Sequence, residues 1–132
     1  MIVVDASALV AFFLREEGWR GLARYMVRTV SVDHAVKEFY NAVWRSVRLR
    51  GVISLEEARE IIGLFNSYRE KNMVLEPEER YVGRAFEIAV EHGVTVYDSL
   101  YLAQALHHGK PLLSLDERQR AVASSLGLEV VP

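Results

Sequence analysis

The chain has 132 residues, 51% apolar and 26% charged, with a net charge of −2 and no cysteine. That is ordinary globular composition for a single domain spanning residues 1–132, long enough for a real core and too short for two comfortable ones. It excludes disorder, a disulfide framework, thiol catalysis and a cysteine zinc site. The longest uncharged apolar stretch, Ala6 to Leu14, is about half of the roughly 20 residues that span a bilayer. No basic region precedes it and Asp5 stands at its head, so it does not read as an export signal. A cytoplasmic protein without a membrane partner is expected.

Helical and strand signals alternate along the chain. Ile2 to Val4 reads as a short strand buried on both faces, as in a parallel sheet. Helices are expected over Ser7 to Arg15 and Gly18 to Arg28, then a strand over Thr29 to Val32, ended by Asp33. A long helix from Ala35 to Arg50 stops at Gly51, and Ser54 with Glu57 forms a capping box for a helix reaching Lys71. Met73 to Leu75 is a minor strand, and Pro77 opens a helix that ends at His92-Gly93. Thr95 to Asp98 leads into a helix closed by Gly109. Leu112 to Leu115 is a strand, Asp116 to Leu126 a helix and Leu128 to Val131 a last strand. This alternation implies a parallel sheet covered by helices on both faces.

Asp5 and Asp116 each follow an apolar strand and precede a helix, which puts both at the carboxyl edge of the sheet, where ligands bind in open α/β folds. Asp98 begins a helix and reaches toward the same edge. Each also has a local explanation, since aspartate at a helix start caps free N–H groups for about 1 kcal/mol. Ser114 with Glu117 and Thr95 with Asp98 already have capping-box spacing, which makes Asp116 redundant as a cap and accounts for Asp98 locally. Glu38 lies opposite the apolar stripe of Val36, Phe39, Tyr40, Val43, Trp44 and Val47, on a polar face with Asn41 and Arg45. Periodicity alone makes that face solvated; a functional Glu38 requires it to line a cleft.

Carboxylates gathered at one point repel unless something positive sits among them, and Mg²⁺ or Mn²⁺ is the natural occupant. Such a site activates water and braces an in-line displacement at phosphorus. A net charge of −2 argues against a nucleic-acid binder, but setting these acids aside leaves the remainder at +2.

The ordered acids Asp5, Glu38, Asp98 and Asp116 stand in the contexts VVDASALVAFF, VKEFYNAVWR, TVYDSLYLAQAL and LLSLDERQRAVA. Together they resemble the PIN-domain family, and in size the VapC-type toxins of toxin–antitoxin pairs. The likeness runs from Met1 to about Val131, and YDSLYLAQA is its most specific stretch. It implies a three-layer α/β/α fold with a central parallel sheet of about five strands. It also implies Mg²⁺- or Mn²⁺-dependent endoribonuclease activity, a homodimer and a small antitoxin protein that blocks the site. By the same resemblance Asp5 and Asp98 hold the principal metal, and Glu38 and Asp116 hold a second or orient the attacking water. Ser7 and Ser114 support the acids, and Asn41 is the polar residue one turn after the glutamate.

Two rivals stand beside this reading. One is a catalytically silent module of the same fold that binds RNA or protein. The other is a signalling receiver, which wants adjacent acids after its first strand, whereas Ala6 follows Asp5. Arg20, Arg24 and Arg28, and the group Arg45, Arg48 and Arg50, are candidate phosphate contacts or plain solvated faces. His34 is one turn before Glu38 and can pair with it. Leu55, Ala58, Ile61, Ile62, Phe65 and Tyr68 form a broad stripe with apolar surface to spare for a dimer face.

Overall fold

The structure, a computed structural model, describes residues 1–132. Five strands form one sheet: β1 (Ile2–Val4), β2 (Thr29–Val32), β3 (Met73–Glu76), β4 (Leu112–Leu113) and β5 (Val130–Val131), in the order β3-β2-β1-β4-β5. Every pairing is parallel. Val3 lies between Val30 and Leu112, and all three are buried, which is why the strands are uninterrupted apolar runs. The order turns outward in both directions from β1 and β4, so the topological switch point lies between these two strands. This order differs from the 2-1-3-4-5 arrangement of receivers and removes that rival.

The helices are α1 (Ala6–Phe13), α2 (His34–Arg48), α3 (Leu55–Asn72), α4 (Val82–His92), α5 (Val96–His108) and α6 (Glu117–Ser125). Helices α1, α2 and α3 contact one another through an aromatic cluster. Phe39 stacks on Phe65 at 3.9 Å, and Phe13 meets both rings and Tyr68 edge-on. The remaining group centres on α5, which touches β1, β2, β4, α4 and α6. Its residues Ser99 to Ala105 are buried without interruption, so its amphipathic signal is weak for the reason expected of an internal helix. Gly93 and Gly109 end α4 and α5 at φ of 67° and 60°, left-handed positions that suit glycine. No helix is long and apolar enough to cross a membrane.

Three local expectations are corrected. The segment after α1 is a 3₁₀ turn over Trp19–Tyr25, so residues four apart no longer share a face and the Arg20–Arg24–Arg28 stripe does not form. Arg20 instead lies over the Trp19 ring at 4.9 Å and Arg24 over Tyr25 at 4.7 Å. Pro77 precedes a short 3₁₀ turn, Glu78–Arg80, and α4 begins only at Val82. The Glu78 amide is taken by Asp33 Oδ1 at 2.9 Å, which holds this turn against the end of β2. The α3 stripe is mostly core, with Ala58 and Phe65 buried and Ile61, Ile62 and Tyr68 packed on it. Leu55 of that stripe stays exposed, and α4 carries a further exposed apolar row of Val82, Phe86 and Val90.

Candidate active site

Asp5 leaves β1 at the switch point and caps α1, its Oδ1 accepting the Ala8 amide at 3.1 Å. Ser7 donates to the same oxygen at 2.6 Å, and Ser114, just beyond β4, donates to Oδ2 at 2.5 Å. Ser7 is itself fixed by the Leu115 amide at 3.0 Å. Asp5 is 3% exposed. Burial pushes its carboxyl up to about 6; the two hydroxyls and the amide pull the other way, and the charge of Glu38 adds to the rise.

Ser114 is therefore engaged with Asp5 and does not cap α6. Asp116 is the cap, accepting the Gln119 amide at 2.8 Å, while Ser114 Oγ accepts the Asp116 amide. The expectation that Asp116 is redundant as a cap is overturned, because the serine hydroxyl is drawn toward the buried carboxylate next door. Thr95 does cap α5, accepting the Asp98 amide at 3.2 Å. The Asp98 carboxyl stays half-buried and is raised by burial and by the charge of Asp116.

Glu38 projects from the polar face of α2 into the same space. Tyr101, 1% exposed on α5, donates to Glu38 Oε1 at 2.8 Å, and His34 Nε2 lies 3.0 Å from that oxygen. Burial raises the Glu38 carboxyl; the Tyr101 bond opposes this and the charge of Asp98 reinforces it. Burial, with Glu38 beside it, raises the Tyr101 phenol far enough to keep it a donor. The His34 ring stacks on Tyr97, and burial lowers its affinity for a proton.

One cleft of about 570 Å³ is lined by all four acids together with Ser7, Asn41, Arg45, Tyr101 and Gln119. Glu38's face of α2 is thus not solvated in the ordinary sense; Asn41, Ala42 and Arg45 form a cleft wall with it. Asn41 makes no hydrogen bond to the acids. No three aspartate, glutamate or histidine side chains are grouped closely enough to form a metal cage. Glu16 also lines the cleft, and no motif or spacing singles it out. Tyr101 and Gln119 were equally unmarked, although Tyr101 sits one turn after Asp98 and so shares its face. Gln119 is buried; its amide nitrogen Nε2 donates to the Asp98 carbonyl at 3.1 Å, and its Oε1 has no partner.

The PIN-domain family model matches residues 2–125. The chain belongs to the PIN-domain family. Among PIN-domain relatives, Ribonuclease VapC3 of Pyrobaculum aerophilum is 32% identical over 120 residues, covering 89% of this chain and 90% of its own. The crystal structure of PAE2754 from the same organism matches with a TM-score of 0.74 at 25% identity, over 98% of this chain and 83% of that one. That of Mycobacterium tuberculosis VapC20, described as a Sarcin-Ricin loop cleaving toxin, has a TM-score of 0.70 at 17% identity and covers 92% and 94%. The likeness to VapC20 bears on the fold alone.

Proposed function

We propose that this PIN domain is a divalent-metal-dependent endoribonuclease that hydrolyses RNA phosphodiester bonds in the acidic cleft. It is the toxin of a toxin–antitoxin pair, a cytoplasmic homodimer silenced by a small antitoxin. The carrying observation is Asp5: a carboxylate buried at the switch point, held by hydroxyls and an amide, with no lysine, arginine or histidine paired to it. The name of one relative, a ribonuclease, supplies the substrate class. The exposed Val82, Phe86 and Val90 stripe offers an apolar face for self-association.

The donors fit Mg²⁺ or Mn²⁺. All are hard oxygens, and Mg²⁺ keeps several waters while using one or two carboxylates, so a closed protein cage is not required. Asp5 and Asp98 would hold the principal ion, with Glu38 and Asp116 toward a second ion or the attacking water. When bound, the metal lowers the pKa of water and braces the attacking and leaving oxygens at phosphorus. The protein's own groups do the rest. Ser7 and Ser114 hold Asp5 in one orientation, and Gln119 ties the start of α5 to the start of α6. Arg45, exposed at the cleft wall and in no ion pair, is placed to meet a phosphate of the RNA.

Cleavage of a mixed-sequence single-stranded RNA, labelled at one end, with Mg²⁺, Mn²⁺ or EDTA tests this reading. Internal cutting that needs the divalent ion and is lost in Asp98→Asn is the expected result. Equal cutting by both proteins removes Asp98 from the site. No cutting, with no Mn²⁺ bound in calorimetry, turns the reading toward the silent binding module.

A further inference from the structure

Asp5, Asp98 and Asp116 are placed by the backbone, each in the first turn of a helix or just before it. Glu38 is not. It rises from the second turn of α2 on a long side chain whose rotamers are free unless something holds them. The two contacts recorded for its carboxylate fall on one atom: Tyr101 donates to Oε1 at 2.8 Å and His34 Nε2 lies 3.0 Å from it. Oε2 accepts no hydrogen bond from the protein. Tyr101 is 1% exposed and packed in the uninterrupted buried run of α5, so the phenol is a fixed point. It also follows Asp98 by one helical turn, which puts the two on one face of one helix.

We propose that Tyr101 is a positioning residue for Glu38: by occupying Oε1 it leaves Oε2 as the single oxygen that Glu38 offers to a divalent cation or to the attacking water. Because α5 also carries Asp98, the reach of Glu38 into the cleft is tied to that of an acid on a different element. The inference rests on the metal-nuclease reading of the cleft. A phenol present only because a buried hydroxyl needs an acceptor would leave cation affinity untouched.

The test measures Mn²⁺ affinity by calorimetry, kcat and KM on single-stranded RNA, and Tm, for wild type, Tyr101→Phe, Glu38→Gln and the double variant. Tyr101→Phe is expected to weaken Mn²⁺ binding and lower kcat by about tenfold or more, with KM for RNA little changed. In the Glu38→Gln background the same substitution should cost nothing further, since the group it positions is gone. Wild-type Mn²⁺ affinity and kcat in Tyr101→Phe, or losses that simply multiply in the double variant, overturn the inference alone. A wild-type protein that neither binds Mn²⁺ nor cuts RNA overturns the reading of the cleft and this inference with it. Should Tyr101→Phe not fold, Glu38→Asp draws the carboxylate one methylene back from the phenol. A loss of Mn²⁺ affinity is then expected, and unchanged affinity overturns the proposal.

Discussion

Asp5 and Glu76 both sit at the carboxyl ends of strands in the same sheet, and their surroundings have opposite effects. Asp5, after β1, meets two hydroxyls and one amide, and burial takes its carboxyl up to about 6. Glu76 closes β3 and is partly buried. Its Oε1 accepts from Tyr81 at 2.6 Å and Gln104 at 2.9 Å and contacts His108 Nε2 at 2.8 Å, while Arg80 meets Oε2 at 2.7 Å. Burial alone would raise Glu76 as well, but the Tyr81, His108 and Gln104 bonds and the charge of His108 outweigh it and bring the group down to about 2. Asp5 is the more deeply buried of the two, and its hydroxyls and amide do not offset that burial, whereas the bonds from Tyr81, His108 and Gln104, with the charge of His108, more than offset it at Glu76. Glu76 is complete within the protein and clamps β3, α5 and the turn before α4 together. Asp5 has a charge that nothing in the chain neutralises, which is the usual mark of a site awaiting something from outside.

Substituting each carboxylate sharpens that contrast. Asp5→Asn should cost several kcal/mol of transition-state stabilisation, about 10³-fold in RNA cleavage, in a single-turnover assay. The same variant should be more stable than wild type in metal-free buffer at pH 7. A carboxyl whose folded pKa is raised stabilises fully below the unfolded value and loses that contribution as pH rises through the folded one. For Asp5 the window runs from 3.8 to about 6. The gap corresponds to roughly 3 kcal/mol at most, so wild-type Tm should fall across it relative to Asp5→Asn, and saturating Mn²⁺ should restore much of the difference at pH 7.

Glu76→Gln should act the other way, destabilising the protein by about 2 kcal/mol because Arg80 and His108 lose a charged partner. Its Mn²⁺ affinity should stay within about twofold of wild type, since Glu76 is not among the cleft residues. An equal loss of Mn²⁺ affinity in Glu76→Gln and Asp5→Asn would erase the distinction drawn between them. The smallest effect is expected for Ser54→Ala, which removes the capping box of α3 at about 1 kcal/mol. In chemical denaturation it should shift the midpoint and leave cleavage alone.

Much of this arrangement was readable from the amino acids. The apolar runs named all five strands, and the position of Asp5 and Asp116 just after two of them placed both at the sheet edge. His34 does approach Glu38, as its spacing of one turn suggested. What failed to show was tertiary. Periodicity put Glu38 on a solvated face because it cannot see that Asp98 and Tyr101 of α5 line a cleft with it. The 3₁₀ turn at Trp19–Tyr25 has helical composition but makes its tight turn against α1, with Trp19 edge-on to Phe12 at 5.7 Å. Local spacing points to Ser114 rather than Asp116 as the cap of α6 because it does not reveal a buried acceptor 109 residues away. Gln104 and His108 reach Glu76 from α5, a contact no local spacing shows.

That separation of 109 residues between Asp5 and Ser114 also makes the cleft a costly part of the fold to close. Contacts between such distant parts of a chain carry a loop-closure cost that local helices do not, and they form late. The aromatic cluster of α1, α2 and α3 lies wholly within the first 72 residues, while the cleft needs both ends of the sequence. A chain still emerging from the ribosome, or one cut between α5 and α6, has the first carboxylate without the hydroxyl and the acid that complete its surroundings. On the proposed reading, competence to cleave arises in a single step, when β4 docks beside β1.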